Sequence, residues 1–452
     1  MVNLKDISTL YFVGIGGIGM SALARYFKMQ NKTVLGYDRV ATPLTDALEK
    51  EGIAITFNDN VDALPKEITE DKNVLVVYTP AITRENKMLD YFFTRNFTVV
   101  KRAALLGQVS QNSFCLAVSG THGKTTTSAI LGHLLVASDM PVTVFLGGVS
   151  ENYGSNFIYR GKEITVVEAD EYDRSFLQLR PDVVCITSMD ADHLDIYGDA
   201  SELELAFRSF VALVDREEHI LIKLGLDLPG KTVAIEKTAD YEVQNLRVVD
   251  GIYRFDLKTP ETIVEDITFN LPGRHNIVNA VMAFGMSRLA GAPIESLVTG
   301  LASFKGVDRR FTYKIRTASL VLIDDYAHHP TELAALHQAV AEMYPDDKSQ
   351  IVFQPHLYSR TRDFGEAFAK SLSLFDEVVL LDIYPAREKP IPGITSDWLL
   401  DQIIATEKQL VSKENLADVM ASSQSRVKLL VGAGDIGNEV GKIAKILGHE
   451  EA

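Results

Sequence analysis

Cysteine is nearly absent from this chain of 452 residues: Cys115 and Cys185 are the only two. Each sits inside an apolar run, which reads as a buried thiol and excludes a disulfide framework. No run approaches the roughly 18 apolar residues of a membrane helix, and the opening MVNLKDIST lacks the apolar region of a secretory leader. Positive charge is scarce as well, since 45 Lys and Arg against 61 Asp and Glu leave a formal net charge of −16. That field argues against nucleic acid or an anionic membrane as the main partner, although local Lys and Arg can still hold an anionic small substrate. What remains is an ordinary globular composition, 46% hydrophobic and 23% charged. The expectation is a soluble cytoplasmic protein, monomer or homodimer, with about three domains by its length.

The stretch with the most chemistry is Ala117-Val118-Ser119-Gly120-Thr121-His122-Gly123-Lys124-Thr125-Thr126-Thr127. It follows the apolar run Phe114 to Val118 and opens a helix-prone run, which is the plan of a phosphate-binding loop. Backbone N–H groups of Gly120, Thr121, His122 and Gly123 and the helix N-terminus would face the phosphates. Lys124 would reach the β- and γ-phosphates, and the hydroxyl of Thr125 or Thr126 would ligate Mg²⁺. Val118 stands where the usual pattern has a glycine, so the loop favours ATP without settling it.

Upstream, the β-type run Leu10 to Val13 leads into Gly14-Ile15-Gly16-Gly17-Ile18-Gly19, a helix pattern, the strand Thr33 to Tyr37, and Asp38. Strand, G-x-G-x-x-G, helix, strand and acid form a nucleotide-binding fingerprint, with Asp38 placed for a ribose hydroxyl. Val74 to Tyr78 reads as a buried strand, and the turn at Thr79 after it is expected to line the same crevice.

Downstream of the phosphate loop, Ile164 to Val167 feeds Glu168-Ala169-Asp170-Glu171-Tyr172-Asp173. Val183 to Thr187 feeds Ser188-Met189-Asp190-Ala191-Asp192-His193-Leu194-Asp195. Acidic clusters after strands are where an ATPase keeps metal ligands, and oxygen donors with one His suit Mg²⁺ or Mn²⁺ better than Zn²⁺. Residues 220–269 read as an antiparallel extension, and Arg274-His275-Asn276 either faces a base or caps the following helix. In the last third, four apolar strands each deliver a polar loop: Asp324 to Pro330, Gln354 to Arg362, Asp382 to Glu388, and Gly432 to Gly437. Such loops gather at one edge of a parallel sheet. Only 15 residues follow Gly437, so that last glycine motif reads as tight packing or phosphate contact rather than a dinucleotide site. Adjacent His328 and His329 diverge in any regular backbone and are not expected to share a metal.

Together these stretches resemble the Mur ligases of bacterial cell-wall synthesis. The resemblance rests on GIGGIGM, GTHGKTTT, EADEYDRSF, DADHLD, LPGRHNIVNA, GVDRRF, DDYAHHPTEL, QPHLYSRTRDF, YPAREKPI and GAGDIG, in order along nearly the whole chain. QPHLYSRT and YPAREKPI favour the alanine-adding member over the murein-peptide recycling one. Ser188 and Asp190 depart from the family's more usual Asn and Glu. Arg208 stands near the place where several members carry a carbamylated lysine, so no such modification is expected.

The resemblance implies an α/β chain of three domains. Residues 1–106 would be a Rossmann-like UDP-sugar domain, 107–312 a central P-loop ATPase domain with a mostly parallel sheet, and 313–452 a Rossmann-like amino-acid domain. It implies ATP-dependent joining of L-alanine to the lactyl carboxylate of UDP-N-acetylmuramate through an acyl phosphate. Lys124, with Mg²⁺ on Thr125, Glu168 and His193, would neutralise the γ-phosphate. His193 must be neutral to bind metal, so activity should fall as it protonates. Gly14, Gly16, Gly17, Gly19, Asp38 and Thr79 would hold the UDP-sugar. Asn276 would lie near the adenine and Arg310 near the phosphates. Tyr326, His328, Arg360 and Arg362 would serve the amino-acid side, His328 taking the amine proton and the arginines holding carboxylate and phosphates. If Arg360 and Arg362 were on a strand, they would point the same way. Closure of the domains would then exclude water from the acyl phosphate.

Two other classes compete. An NAD-dependent oxidoreductase would use Gly14 to Asp38 but leaves Lys124 and both acidic clusters unexplained. A nucleotide-gated binding protein would release phosphate without any amino acid. Lys124→Ala is expected to abolish turnover and leave the fold intact.

Overall fold

The fold comes from a computed structural model that describes residues 3–70, 73–190, 197, 199–386, 388–405 and 407–449. Strands and helices alternate along the chain in three sheets. The first sheet contains β1 (Thr9–Val13), β2 (Thr33–Tyr37), β3 (Ala54–Thr56), β4 (Val74–Tyr78) and β5 (Thr98–Lys101), all parallel, in the order β3-β2-β1-β4-β5. The order reverses between β1 and β4, and open α/β sheets bind ligands at that switch point, beyond the strands' carboxyl ends. The loop from Gly14 and the turn at Thr79 leave the sheet there.

The second sheet is built from β6 (Phe114–Ser119), β7 (Val142–Ser150), β8 (Ser155–Tyr159), β9 (Ile164–Glu168), β10 (Val183–Ile186), β11 (Ile220–Lys223), β12 (Lys231–Ile235), β13 (Tyr241–Val249), β14 (Ile252–Lys258) and β15 (Ile263–Phe269). Their order is β15-β14-β13-β12-β11-β10-β6-β9-β7-β8. The reading of 220–269 as wholly antiparallel is corrected, because β11 pairs parallel with β10 and β12, and β12 with β13. Only after β13 does a two-residue Asp250-Gly251 turn, with φ of 54° and 71°, reverse the chain. Left-handed backbone at both positions is what the right-handed twist of a tight hairpin selects. At the other edge β8 returns antiparallel on β7.

The third sheet joins β16 (Thr312–Arg316), β17 (Val321–Asp325), β18 (Ser349–Phe353), β19 (Glu377–Leu380), β20 (Glu407–Leu410) and β21 (Val427–Val431) in the order β16-β17-β21-β18-β19-β20. All its pairings are parallel except that of β16 with β17. Central strands such as β4 and β21 are buried on both faces because helices cover both sides of a parallel sheet, and the one charged residue among them, Lys428, donates to backbone carbonyls. The helix Lys124–Ala137 is buried from Thr125 to Leu135, which is why its sequence shows no polar face.

Packing divides the chain into two compact units. One comprises Met1–Gln244, Asp256–Ile267 and Val278–Phe304; the other Asn245–Phe255, Thr268–Ile277 and Lys305–Ala452. Within the first, the helix Ile18–Met29 ties the first sheet to the second. Arg25 pairs with Glu51 and donates to Asn156, whose amide donates to Ile18 O at 2.6 Å and Ser21 Oγ at 2.9 Å. Cys115 and Cys185 are both fully buried and free, and burial pushes the Cys115 thiol up to about 12.

Candidate active site

The strand β6 carries one more residue than the phosphate-loop pattern suggests. Val118 is buried in the sheet, paired with Glu168 on β9 and Cys185 on β10, so its place needs no glycine. The loop itself is Gly120 to Gly123, and both glycines have left-handed backbone, with φ of 131° and 84°. A Cβ on Gly120 would lie 2.2 Å from Thr187 Oγ1, and one on Gly123 2.8 Å from Asn279 Oδ1. Both positions therefore demand glycine twice over, by conformation and by space.

The end of β10 braces this loop. His122 N donates to Ser188 Oγ at 2.8 Å, Asp190 N donates to Thr121 Oγ1 at 2.9 Å, and Thr187 Oγ1 donates to His122 O. Asp190 also lies 3.3 Å from His122 Nε2. Ser188 and Asp190, the two departures from the family pattern, thus act on the loop backbone and its His rather than at a distance. Thr125 Oγ1 donates to Glu168 Oε2 at 3.1 Å, which puts Thr125 on the acidic cluster. Glu168 is itself aimed by the amide of Gly147.

Lys124 Nζ donates to Gly120 O at 2.7 Å and to both oxygens of Glu171, at 2.9 and 2.8 Å. Burial works against its charge, but the carboxylates of Glu171, Asp170 and Glu168 outweigh burial and raise its pKa above the usual lysine value. The expectation that Lys124→Ala leaves the fold intact is corrected on this point. Glu171 is fully buried, and removing its cation leaves an uncompensated buried carboxylate, a loss of about 3–5 kcal/mol. His193, expected among the metal ligands, lies outside the described residues. Among the described residues no three His, Cys, Asp or Glu converge on one point.

At the first sheet's switch point Gly14 has φ of 87°, and a Cβ there would meet Ile82 at 3.3 Å and Thr79 at 3.4 Å. Thr79 therefore closes on the glycine loop as expected. Asp38, expected at a ribose hydroxyl, also serves the loop itself: its Oδ2 accepts from Gly16 N and its Oδ1 from Arg39 N, both at 2.7 Å. It fixes the loop's shape. A Cβ on Gly16 would lie 2.8 Å from that same Oδ2, and one on Gly19 would strike Arg102 at 2.6 Å. Gly17, by contrast, precedes the helix Ile18–Met29 in extended backbone, and a Cβ there would make only ordinary contacts, the nearest with Gly14 O at 3.4 Å.

The second unit gathers a separate cluster at the carboxyl ends of β17, β18 and β21. The guanidinium carbons of Arg309 and Arg310 are 5.0 and 5.1 Å from the Tyr326 ring centroid. Asp325 accepts from the amides of Phe311 and Ala327, both at 2.7 Å, and burial pushes its carboxyl up to about 6. His328 Nδ1 lies 2.9 Å from Tyr326 O and 3.4 Å from Glu332 Oε2. With Nδ1–H donating to that carbonyl, Nε2 keeps its lone pair. Burial lowers the His328 pKa below the ordinary imidazole value, and Glu332 only partly opposes it. Glu332 is shared with Arg310, 3.9 Å away. His329 turns away to cap the helix Pro330–Met343, accepting from Thr331 N, which separates the two histidines as expected.

The two arginines of the QPHLYSRTR stretch do not point the same way. Residues Tyr358–Asp363 form a helix, where positions two apart lie on opposite sides. Arg360 is buried with Nη1 3.4 Å from His356 Nδ1; Arg362 is half exposed and paired with Asp363 at 2.7 Å. His356, which sequence reasoning left without a role, is stacked on Tyr384 and sits edge-on to His328, with centroids 5.8 and 6.2 Å away. Leu357 after it has φ of 70°, a left-handed conformation costly for a branched residue, and no pattern in the sequence signals it. Asn276 donates to Pro272 O at 2.6 Å, and Asn279 one turn later stands against Gly123. In the last glycine motif Gln354 fills the turn, accepting from Ile436 N at 2.9 Å and donating to Asp435 at 2.8 Å. Arg309 donates to Gly432 O at 2.6 Å and lies over Gly437. That loop is tight packing.

Three family models match the chain in sequence: "Mur ligase family, catalytic domain" over residues 9–113, "Mur ligase middle domain" over 118–287, and "Mur ligase, glutamate ligase domain" over 309–436. The chain is a Mur ligase. Among its relatives is the UDP-N-acetylmuramate–L-alanine ligase of Christiangramia forsetii, 55% identical over 451 residues and covering 100% of each chain. The enzyme of the same name from Flavobacterium psychrophilum is 53% identical over 446 residues, 99% of each. Of solved structures, the UDP-N-acetylmuramate-alanine ligase of Thermotoga maritima superposes with a TM-score of 0.83 at 26% identity, covering 98% of this Mur ligase and 99% of that chain. A murein peptide ligase from Psychrobacter arcticus, at TM-score 0.69 and 19% identity over 98% and 99% of the two chains, shares the fold. An oxidoreductase reading of this Mur ligase has no support left. Its donor pair of a hydroxyl and a carboxylate oxygen, Thr125 Oγ1 and Glu168 Oε2, fits a hard divalent cation that completes its shell with phosphate and water.

Proposed function

We propose that this Mur ligase joins L-alanine to the lactyl carboxylate of UDP-N-acetylmuramate at the expense of ATP, in the cytoplasm, as a step of peptidoglycan precursor synthesis. The observation that carries the reading is the loop Gly120 to Thr126, with Lys124 and the Thr125–Glu168 pair at its helix end. Relatives of more than half identity over the full length bear the name of that reaction.

The γ-phosphoryl group passes from ATP to a carboxylate oxygen, leaving ADP and an acyl phosphate. The carboxylate needs this step because oxide is too poor a leaving group for an amine to displace. Lys124 and the loop N–H groups take up the charge of the transferring phosphoryl, which asks for positioning more than for covalent help. Mg²⁺, or Mn²⁺ in its place, held by Thr125, Glu168 and His193, supplies further charge neutralisation when bound. The amine of L-alanine then attacks the carbonyl carbon, and the tetrahedral intermediate expels inorganic phosphate. His328 Nε2 accepts the amine proton; its lowered pKa keeps it neutral and competent near pH 7. Buried Arg360 holds the alanine carboxylate, with Tyr326 and Arg310 beside it; Arg362, paired to Asp363, has the lesser part. Gly14, Gly16, Gly17, Gly19 and Thr79 cradle the UDP-sugar, with Asp38 shaping the loop. Asn276, whose amide also donates to Pro272 O, lies near the adenine. The three functional segments are residues 1–106, 107–312 and 313–452.

A phosphate-release assay tests this. Release requires UDP-N-acetylmuramate, L-alanine, ATP and Mg²⁺ together, and omitting any one abolishes it. Release that ignores the amino acid would instead favour a nucleotide-gated binding protein. Glycine and L-serine are small enough to compete; glycine, one methyl short, is expected to be turned over less efficiently by about tenfold, since a methyl is worth about 1–3 kcal/mol.

A further inference from the structure

Glu171 is a fully buried carboxylate for which neither phosphate binding nor the metal pair has a use. It lies three residues beyond Glu168. Its oxygens are 2.8 and 2.9 Å from Lys124 Nζ, and Gly120 O is 2.7 Å from the same atom. Tyr197 Oη donates to the Glu171 carbonyl at 2.5 Å, and Arg174 N donates to that carbonyl at 2.9 Å. The chain leaves through Asp173 and Arg174, both left-handed, with φ of 54° and 52°. Glu171 is thus held by its backbone at a tight turn, with both side-chain oxygens on Lys124 Nζ.

We infer that Glu171 is the positioning residue for Lys124 in phosphoryl transfer. This rests on the reading that the Gly120 to Thr126 loop holds the phosphates of ATP. An ammonium group has three N–H donors. The loop carbonyl and the two carboxylate oxygens take all three here; a phosphate oxygen takes over one of the two that go to Glu171, and the remaining carboxylate bond and the loop carbonyl fix its direction. A lysine without this anchor swings on a four-carbon stem and follows the ground-state triphosphate. Anchored, it stabilises the charge that develops during transfer rather than ATP as bound, so the anchor raises kcat more than it lowers KM. Glu171 also offsets part of the lysine's charge, so it works against tight binding of ATP and not for it.

The test compares Glu171→Gln and Glu171→Asp with the wild-type chain. Glu171→Gln keeps the shape and one acceptor but loses the charge. Its kcat is expected to fall by at least about tenfold. Its KM for ATP, and the calorimetric Kd of a non-hydrolysable ATP analogue with Mg²⁺, are expected to stay within about threefold of wild type or to tighten. Glu171→Asp restores the carboxylate one methylene short and is expected to regain part of the lost kcat. Glu171→Gln with kcat within about twofold of wild type, or with analogue binding weakened in step with rate, overturns the inference. So does a lowered unfolding midpoint with normal kcat, which is the signature of a structural role alone. If the wild-type chain releases no phosphate with all three substrates, the ligase reading fails. The analogue titration still decides on Glu171, because weaker binding by Glu171→Gln refutes the anchor whatever the acceptor substrate is.

Discussion

At the scale of single residues, the site is a set of charged side chains whose partners are mostly other protein groups. Lys124 is gripped by Glu171 and Gly120, Arg309 by Asp324 and Gly432, and His328 by Tyr326 and Glu332. Sequence reasoning found most of these residues, because a lysine after a glycine turn or a His between strand and helix is hard to explain by packing. It could not find their partners. Glu171 was visible only as one acid among several, and nothing in a string of letters says that its side chain is buried against Lys124. His328 yields a prediction of its own. Its folded-state pKa lies below the ordinary value of about 6.5, because burial disfavours the imidazolium. A group with a depressed folded pKa adds stability that is present above the unfolded value and is lost as pH falls through the folded one. The neutral, competent form therefore persists down to below about pH 6.5. A pH profile of kcat at saturating L-alanine is expected to be level near neutrality with an acid limb below that point. His328→Asn is expected to cut kcat by about 10²-fold or more and to flatten the part of the limb that His328 owns. A variant with wild-type rate and profile would remove His328 from the proton transfer.

At the scale of elements, the phosphate loop shows how little slack the chain leaves. The loop is short because β6 runs through Ser119, and its two glycines meet Thr187 and Asn279 where any Cβ would go. Gly123→Ala combines a left-handed φ of 84° with a contact at 2.8 Å, so loop and helix start must shift together. The left-handed conformation alone costs about 1–2 kcal/mol. ATP-dependent phosphate release by this variant is expected to drop by about 10²-fold, with only a modest fall in the thermal unfolding midpoint. Unchanged turnover would mean that the phosphates bind elsewhere. The existence and type of such elements were legible from strand–glycine–helix order. Where the sequence misled was in elements whose type depends on neighbours. The stretch around Arg360 and Arg362 is a helix, not a strand, so the two guanidiniums diverge. The run after Ile220 continues the parallel sheet before it turns back, because an apolar strand reads alike in either direction.

At the scale of the whole molecule, three sheets, each with its polar loops at the carboxyl ends of its strands, make one ligase out of three nucleotide-fold plans. The glycine motifs at residues 14–19, 120–123 and 432–437 look alike as text, yet they do different work. The first has its shape set by Asp38, the second faces Lys124 and Glu168, and the third is filled by Gln354. Spacing alone could not rank them; what fills each turn does. The central claim is that the triphosphate belongs to the second of these loops. The most direct measurement is a crystal structure of the wild-type chain with a non-hydrolysable ATP analogue and Mg²⁺. The account predicts the γ-phosphate within hydrogen-bonding distance of Lys124 Nζ and the metal bound to Thr125 Oγ1 and Glu168. A triphosphate lying on residues 14–19, or a Glu168 turned away from the metal, would contradict it.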